Sequence, residues 1–242
     1  MRPTAGHIDA SDFENLYLQL RKKEGRVYTD EELAVLPDIA KDHVHFREWQ
    51  MRKQSCQMLM RYLKKKQKPA KIFEVGCGNG WLSHQLSNLP DCHVIGTDIN
   101  FTELQQASKV FHLTPNLYFI YSHLDSDVFE EKQFDSVVFA ASIQYFPSLT
   151  EIIRKSLRLL KADGEIHILD SFFYPLSELN AAKKRSLLYF EAAGFPEMVN
   201  WYFHHSLDEL EQFNYSMLYD PNSLLNKFTL NKSPFPWICI KH

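Results

Sequence analysis

The sequence predicts an α/β fold with a mostly parallel sheet and helices on both of its faces, and three observations predict it. Apolar strand-like segments alternate with helical segments from Lys71 to Leu169, as they do when crossover helices join parallel strands. A loop with glycine at every second position, 76–80, follows the first strand. The second strand, 93–98, ends on the carboxylate of Asp98. A glycine loop and an acid at the ends of neighbouring strands are typical of sites for nucleotide-type ligands, whose ribose hydroxyls both donate hydrogen bonds.

Residues 1–69 predict helices that precede the sheet, the longest of them running from about 44 to 66. In that helix the i, i+4 spacing places His45 and Trp49 on one face and pairs Glu48 with Arg52. Three pairs along the chain have the capping-box spacing that starts a helix: Ser11 with Glu14, Thr29 with Glu32, and Ser206 with Glu209. We interpret 1–69 as a helical cover and 70–242 as the main domain.

The pattern changes after the fifth strand. Residues 171–205 are rich in aromatic side chains and contain a helical stretch, 177–193, that is predicted to end at Gly194. Two further strands are predicted, at 215–219 and 235–240, which brings the sheet to seven. Residues 171–205 are therefore an insertion between the fifth strand and the last helix.

Composition bounds the class of protein. The chain has 242 residues, 45% of them hydrophobic, and a net charge of −3, which suits one domain with elaborations and opposes broad attraction to nucleic acid or anionic lipid. The basic run 61–68 is interpreted as the solvated end of a helix, with nucleic-acid contact as the alternative. No apolar run approaches the length of a membrane span, and the start of the chain has no signal-peptide pattern. We therefore expect a cytoplasmic protein.

The four cysteines lie far apart without a C-x-x-C pair, so neither a disulfide framework nor a metal site is predicted. The adjacent His204 and His205 do not change that expectation, because they point in different directions on a strand and lack an evident partner.

The glycine loop distinguishes two kinds of ligand. The dinucleotide fingerprint G-x-G-x-x-G would require glycine at position 81, where the chain has Trp81. The remaining pattern, G-x-G-x-G after a strand that ends near Glu74, resembles motif I of the class I S-adenosylmethionine-dependent methyltransferases. The resemblance implies a Rossmann-like seven-stranded sheet, with S-adenosylmethionine as cofactor and its ribose on Asp98.

Downstream segments extend the resemblance over about residues 70–170. Residues 134–140 are similar to the family's fourth strand and 142–147 to the segment that follows it. Residues 159–164 resemble the helix end and turn that lead into a fifth strand at 165–169. The two C-terminal strands extend the similarity loosely to the end of the chain.

The resemblance also implies the residues that contact the cofactor. Adenine is expected between Ile99 and the segment 122–124, with Asp125 as the nearest acid to that segment. The full set of predicted cofactor contacts is Trp49, Glu74, Gly76, Cys77, Gly78, Gly80, Asp98, Ile99, His123, Leu124 and Ala140.

The acceptor side is predicted from position and residue type. Tyr145 follows the fourth strand at the carboxyl edge of the sheet, where open α/β sheets bind ligands. His45 in the N-terminal cover, and Tyr202 and His204 in the insertion, are the other candidate catalytic groups, with plain packing as the alternative for each. Asp170, after the fifth strand, faces the same edge as a further candidate.

Absent motifs narrow the acceptor. The chain lacks the Asn/Asp-Pro-Pro-aromatic motif of DNA amino-methyltransferases after the fourth strand and the paired glutamates of protein arginine methyltransferases. The sequence therefore predicts methyl transfer to oxygen or nitrogen of a small molecule. The alternatives are a non-catalytic binding protein with this fold and, less favoured because of Trp81, a nicotinamide-dependent oxidoreductase.

Overall fold

The computed structural model describes residues 10–124, 128–223, 226 and 233–242. Its α-helices are α1 Ala10–Lys23, α2 Asp30–Val35, α3 Phe46–Lys65, α4 Trp81–Ser87, α5 Phe101–Val110, α6 Leu149–Leu159 and α7 Leu179–Ala193. Its strands are β1 Ala70–Val75, β2 Cys92–Asp98, β3 Leu117–Tyr121, β4 Phe134–Ala140, β5 Leu160–Leu169, β6 Phe173–Tyr174, β7 His205–Ser206, β8 Asn214–Tyr219 and β9 Trp237–Lys241. Asp125 lies outside the described residues.

Seven strands form the main sheet in the order β3-β2-β1-β4-β5-β9-β8. All neighbours from β3 to β5 are parallel, whereas β9 is antiparallel to both β5 and β8. The predicted α/β fold with a seven-stranded, mostly parallel sheet is therefore confirmed. From β1 the chain builds outward to β3 and then returns to place β4 on the other side of β1. The strand order therefore reverses between β1 and β4, and such a switch point opens a crevice at the carboxyl ends of the strands.

Helices cover both faces of the sheet because its central strands are apolar on both sides. One buried cluster joins the sheet to α3, α4 and α5, and includes Leu59, Leu86 and Ala107. The other joins the opposite face to α6 through Ile153 and Leu149. The long α3 forms from Phe46 to Lys65, close to its predicted bounds.

A third buried cluster connects α1 with the insertion. Phe13 and Leu20 of α1 pack with Phe190 of α7 and with Met198. Two polar contacts join the same elements: the Lys23 ammonium donates to the Ala193 carbonyl at 2.7 Å, and the Tyr189 hydroxyl donates to the Glu24 carboxylate. The first and last segments of the insertion pair with each other as β6 and β7. The N-terminal helices and the insertion are thus packed together over the sheet edge.

Local predictions met different outcomes. The capping boxes at Thr29 and Ser206 are present, and Gly194 ends α7 with a φ of +79°. The cap predicted at Ser11 is wrong, because that residue lies inside α1. At 159–164 the predicted helix end is confirmed, since α6 ends at Leu159, but β5 begins at Leu160 where a separate turn was predicted.

A bulge in β5 explains why this strand begins directly after α6. Phe134 pairs with Leu160, but Ser136 pairs with Glu165, so five steps of β5 oppose two of β4. The extra residues fold back on themselves, and a Cβ on Gly164 would lie 2.9 Å from the Leu160 side chain.

Among the described residues, no helix is both long and apolar enough to cross a membrane.

Candidate functional site

The glycine loop after β1 lies at the switch point and is pressed against its neighbours. Gly76, Gly78 and Gly80 all have positive φ angles, between +53° and +73°, which side chains rarely adopt. A Cβ on Gly76 would come within 2.6 Å of Ser142, and one on Gly80 within 2.5 Å of the Phe119 ring. The loop therefore needs glycine both for its backbone conformation and for its close approach to the segment after β4 and to β3.

Asp98 lies at the end of β2, beside this loop. One carboxylate oxygen accepts a hydrogen bond from the Gly78 amide at 2.7 Å, and the other accepts one from the Asn100 amide at 2.8 Å. Burial raises the pKa of Asp98, and the backbone donors at Asn100 and Gly78 oppose that effect. The carboxylate is therefore held in place by the loop whose position it also fixes.

Two more acids lie close behind the loop. Glu74, in β1, is 2% exposed and accepts a hydrogen bond from the Ser83 hydroxyl at 2.5 Å. Burial, with a smaller contribution from the charge of Asp98, raises the Glu74 pKa to about 8. Burial and Asp98 also raise the pKa of Glu103, in the first turn of α5, to about 7. This concentration of acidic groups suits a cationic ligand.

A cavity of about 370 Å³ opens at the carboxyl ends of β1 and β2, and we call it the strand-edge cavity. Six of the predicted contacts line it: Gly76, Gly78, Asp98, Ile99, His123 and Leu124. Further walls come from Phe13, Tyr17, Glu103, Phe146 and Trp201. An acid at one end and apolar walls on both sides fit a flat, partly polar ring system joined to a hydroxylated sugar.

A narrower space of about 90 Å³, the N-terminal channel, lies between the glycine loop and the helical cover. Arg21, Arg26 and Arg52 line it, and within the described part of the chain their ion pairs are with two acids. Arg26 and Arg52 lie 2.5 and 3.0 Å from Glu48, and both Arg21 and Arg26 lie 3.1 Å from Glu24. Burial opposes the ionisation of Glu48, but Arg52 and Arg26 outweigh it and lower the Glu48 pKa.

Trp49 and Cys77 also line this channel, as do Glu74 and Ala140. Trp49 is only 3% exposed, donates its indole hydrogen to the Tyr28 hydroxyl at 2.8 Å and packs edge-on against Trp81. His45 is held by the Glu24 carbonyl at 2.7 Å from its Nε2 atom. The predicted Glu48–Arg52 ion pair is present.

A third cavity of about 510 Å³, the insertion cavity, lies between α3, α7 and the segments after β4 and β5. Asp170 follows β5 on its wall and accepts a hydrogen bond from the Ser55 hydroxyl at 2.6 Å. Its φ of +52° is a strained backbone conformation for a residue with a side chain. Burial raises the Asp170 pKa to about 6, against the opposing effect of Arg52.

The predicted aromatic candidates come together between the cavities. Tyr145 lines both the strand-edge and the insertion cavities and packs edge-on against Tyr17 and Tyr202. Tyr202 lines the insertion cavity, and burial raises its pKa. His204 shares a 2.9 Å hydrogen bond with Ser186, and burial lowers its pKa, which favours the neutral ring.

Ala141 lines all three cavities. It directly follows β4, has a φ of +53°, and donates its amide hydrogen to the Leu169 carbonyl at 3.0 Å. The strand-edge cavity, the N-terminal channel and the insertion cavity therefore meet at the carboxyl end of β4.

Sequence reasoning missed several groups at this junction, namely Tyr17, Arg21, Arg26, Glu103 and Ala141. Glu103 carried a local signal, because Asn100 caps α5 and its side chain accepts from the Glu103 amide three residues on. The arginines carried none, since α1 and the segment after it reach the site only through tertiary packing.

One buried group elsewhere has metal-ligand chemistry. Glu165, His167 and Cys239 bring their potential ligand atoms within 4.8 Å of one another. The Trp237 indole can only donate, and it lies 3.3 Å from Nδ1 of His167, so the ring hydrogen belongs on Nε2 and no lone pair remains there for an ion. Lys66 and Lys241 already neutralise Glu165 at 2.5 and 3.0 Å. This donor set fits a buried ion pair.

Comparisons with known proteins agree with this architecture. A family model described as a methyltransferase domain matches residues 72–164. The chain is 30% identical over 103 residues to a malonyl-[acyl-carrier protein] O-methyltransferase from Halalkalibacterium halodurans, an alignment that covers 41% of this chain and 38% of that protein. It is 26% identical over 97 residues to a sterol 24-C-methyltransferase from Candida albicans, covering 39% of this chain and 26% of that protein. The chain thus spans well under half the length of these curated relatives.

A solved structure, described as a putative sarcosine dimethylglycine methyltransferase from Galdieria sulphuraria, has the same fold. It aligns with a TM-score of 0.59 and 14% identity over 95% of this chain and 97% of that one. The matched domain contains β1, the glycine loop and the acid at the end of β2, the features that carry the sequence resemblance. Residues 72–164 thus match the methyltransferase-domain family, and over part of its length the chain is similar to known methyltransferases.

Proposed function

We propose that the protein is a methyltransferase that uses S-adenosylmethionine to methylate oxygen or nitrogen of a small-molecule acceptor. The observation that carries the proposal is that Ala141 lines the strand-edge cavity, the N-terminal channel and the insertion cavity at once. A two-substrate transfer needs two ligand sites that meet at one point, and the carboxyl end of β4 is such a point.

The residues of the first two cavities fit the cofactor. Asp98 accepts hydrogen bonds from the ribose hydroxyls, and adenine lies between Ile99 and residues 122–124. The amino-acid end occupies the N-terminal channel, where Gly76 and Gly78 allow close approach of the backbone. Arg21, Arg26 and Arg52 line the channel and present guanidinium donors of the kind that bind a carboxylate such as the cofactor's α-carboxylate.

S-adenosylmethionine supplies an activated methyl group, so the protein's own contribution is positioning and the exclusion of water. We propose that residues 1–69 and 171–205 act together as the cover that excludes water. The third cluster and the Tyr189–Glu24 contact support this role, because they hold the two segments together above the sheet edge.

An acceptor oxygen or nitrogen that carries a hydrogen must lose it during transfer, and Asp170 is placed to accept it. Its carboxyl lies in the wall of the insertion cavity, and it directly follows Leu169, whose carbonyl binds the amide of Ala141. A pKa of about 6 leaves it mostly ionised at neutral pH yet more basic than an ordinary aspartate.

Calorimetric titration with S-adenosylhomocysteine and with NAD tests the proposal. We expect S-adenosylhomocysteine to bind and NAD not to bind; the reverse would support a nicotinamide-dependent oxidoreductase. A screen of small-molecule acceptors with labelled cofactor then separates an enzyme from a binding protein. Tight binding without transfer to any acceptor would favour the non-catalytic alternative. Label on a carbon atom would instead indicate C-methylation, the reaction in the name of the sterol relative.

A further inference from the structure

The outer end of the insertion cavity carries an arginine that the rest of the site does not neutralise. Arg185 projects from α7 into the cavity wall, and its guanidinium carbon lies 6.0 Å from the ring centroid of Tyr174. Among the residues that the structure describes, no carboxylate lies within 4.0 Å of it. It is also exposed, whereas Arg21 and Arg52 are half-buried. Arg185 therefore stands outside the ion-pair network of the N-terminal channel.

The charges around the cavity favour an anion at this point. Arg21, Arg26 and Arg52 lie beside the glycine loop, where Glu24, Glu48 and the proposed cofactor carboxylate are their partners. Asp170 lies at the inner end of the cavity, by Ala141, and faces the acceptor's nucleophile. Arg185 then remains as a cation in a cavity that also has the aromatic walls Tyr189 and Phe235.

Among the described residues, no neighbouring group forms an ion pair with Arg185, and Glu178, whose charge acts on Tyr174, is not within ion-pair distance of it. Ser186 is neutral and hydrogen-bonds to His204. Burial lowers the pKa of His204 and favours the neutral ring, and in neither protonation state is the ring negative. Burial raises the pKa of the Tyr174 hydroxyl, so it stays protonated near neutral pH. Lys183 and Lys184 precede Arg185 on the same helix and add positive charge.

We infer that the methyl acceptor carries an acid group, a carboxylate or a phosphate, which Arg185 binds at the outer end of the insertion cavity while the nucleophile faces Asp170. A guanidinium presents two parallel N–H donors to such a group, and the resulting charge-assisted hydrogen bonds are stronger than those between neutral groups. A volume of about 510 Å³ accommodates a small molecule of this kind. This inference rests on the proposed function and deepens it by naming the substrate class.

The experiment uses simple probes on the full chain saturated with S-adenosylhomocysteine. Benzoate and phenyl phosphate represent the two acid groups, and benzamide is the neutral control of matched shape. Calorimetric titration should show the anions binding at least about tenfold more tightly than benzamide, a factor equivalent to 1.4 kcal/mol. Comparison of benzoate with phenyl phosphate identifies which acid group the site prefers.

Arg185→Gln should lower the affinity for the preferred anion by about tenfold or more, the loss expected for a charge-assisted contact. Lys184→Gln removes the same charge from the same helix at a residue outside the cavity lining, and should change the affinity by less than about threefold, as a screened surface charge does. Both variants should keep the wild-type affinity for S-adenosylhomocysteine, which shows that they fold.

Equal binding of benzoate and benzamide, or no binding of either anion at millimolar concentration, would overturn the inference. Equal losses in Arg185→Gln and Lys184→Gln would also overturn it, because they would reduce the effect to general attraction by a basic helix. These results differ from failure of the proposed function itself, in which the unmodified protein does not bind S-adenosylhomocysteine.

Discussion

Asp98 binds the backbone of Gly78 through one carboxylate oxygen, at 2.7 Å, and this contact joins the end of β2 to the middle of the glycine loop. Each oxygen of an ionised carboxylate accepts more than one hydrogen bond, so the contact leaves capacity for a ligand's hydroxyl groups. The acid is thus fixed by the loop before a ligand arrives, and the ligand does not have to order it.

Replacement of this acid should weaken cofactor binding. We expect Asp98→Ala to lower the affinity for S-adenosylhomocysteine by roughly 1.5–3 kcal/mol for each charge-assisted hydrogen bond that is lost, as measured by calorimetry. Asp163→Ala is the control, because Asp163 is exposed, lies in the β5 bulge and pairs only with the surface Lys68. If the two variants bind equally well, Asp98 does not hold the ribose.

Replacement of two loop glycines, Gly78 and Gly80, should affect different properties of the protein. Gly80→Ala should destabilise the fold, because its Cβ would lie 2.5 Å from the Phe119 ring, and overpacking of this kind costs about 1–3 kcal/mol. In Gly78→Ala the nearest atom is a Glu103 carboxylate oxygen at 3.3 Å, so the steric cost is smaller and the loss should fall on cofactor affinity. Both positions have a positive φ, so the backbone strain of an alanine is similar in the two variants and does not distinguish them. Urea unfolding and calorimetry measure the two effects, and equal stability of the variants would contradict the prediction.

Asp170→Asn should slow methyl transfer without lowering the affinity for the cofactor. General-base catalysis contributes about 10²–10⁴-fold, so we expect kcat to fall within that range for an acceptor found by screening. Because the carboxylate form is the active one and its pKa is about 6, wild-type kcat should rise with pH through about 6 and then level off. The variant should lose that rise. A variant with the same pH profile as the wild type would assign the proton to another group.

Glu74 should make the apoprotein less stable as the pH rises. Its folded-state pKa of about 8 lies above the ordinary value of 4.5, so between these values the folded state binds more protons than the unfolded state. Stability therefore falls with rising pH across that window, by up to about 1.4 kcal/mol per pH unit for one proton. Glu74→Gln removes the titration, and its unfolding free energy should depend less on pH. Asp98, Glu103 and Asp170 act in the same direction, so the difference between the two proteins is the measurement. Parallel curves would show that Glu74 titrates normally.

Cofactor binding should protect the cover from hydrogen exchange. Because α1 and the channel arginines line the same channel as the glycine loop, and α1 packs against α7, we expect S-adenosylhomocysteine to slow exchange at residues 43–52 and 171–205. Tyr189→Phe removes the hydroxyl that donates to Glu24 and should reduce that protection in the insertion. Protection confined to residues 74–125 would contradict a closing cover.

Trp49 is unsuitable as a probe of the cover. Its place among the predicted cofactor contacts would make Trp49→Ala reduce turnover more than stability. With 3% exposure and contacts to Tyr28 and Trp81, its replacement by alanine should instead cost about 3–5 kcal/mol of stability.

Local patterns in the sequence determined the architecture of this protein. The strands were predictable because buried parallel strands are short apolar runs, and β4 occupies the predicted segment 134–140. The positions of the glycine loop, Asp98 and Ile99 were predictable because each directly follows or ends a strand that its apolar run identifies. These features depend only on neighbouring residues.

Only the tertiary structure decided how the rest of the site is assembled. The turn expected within 159–164 became part of a bulge, because β5 already pairs with β4 at Leu160 and pairs with it again from Glu165, a relation between two strands that one strand's pattern does not reveal. Arg21, Arg52 and Asp170 are far apart in sequence, and their meeting at Ala141 depends on how α1, α3 and β5 pack. Burial then changed the chemistry of Asp170, whose pKa is raised because folding removes it from water. Arg185 has no carboxylate within ion-pair distance among the described residues, because α7 places it beyond the acids of the cover.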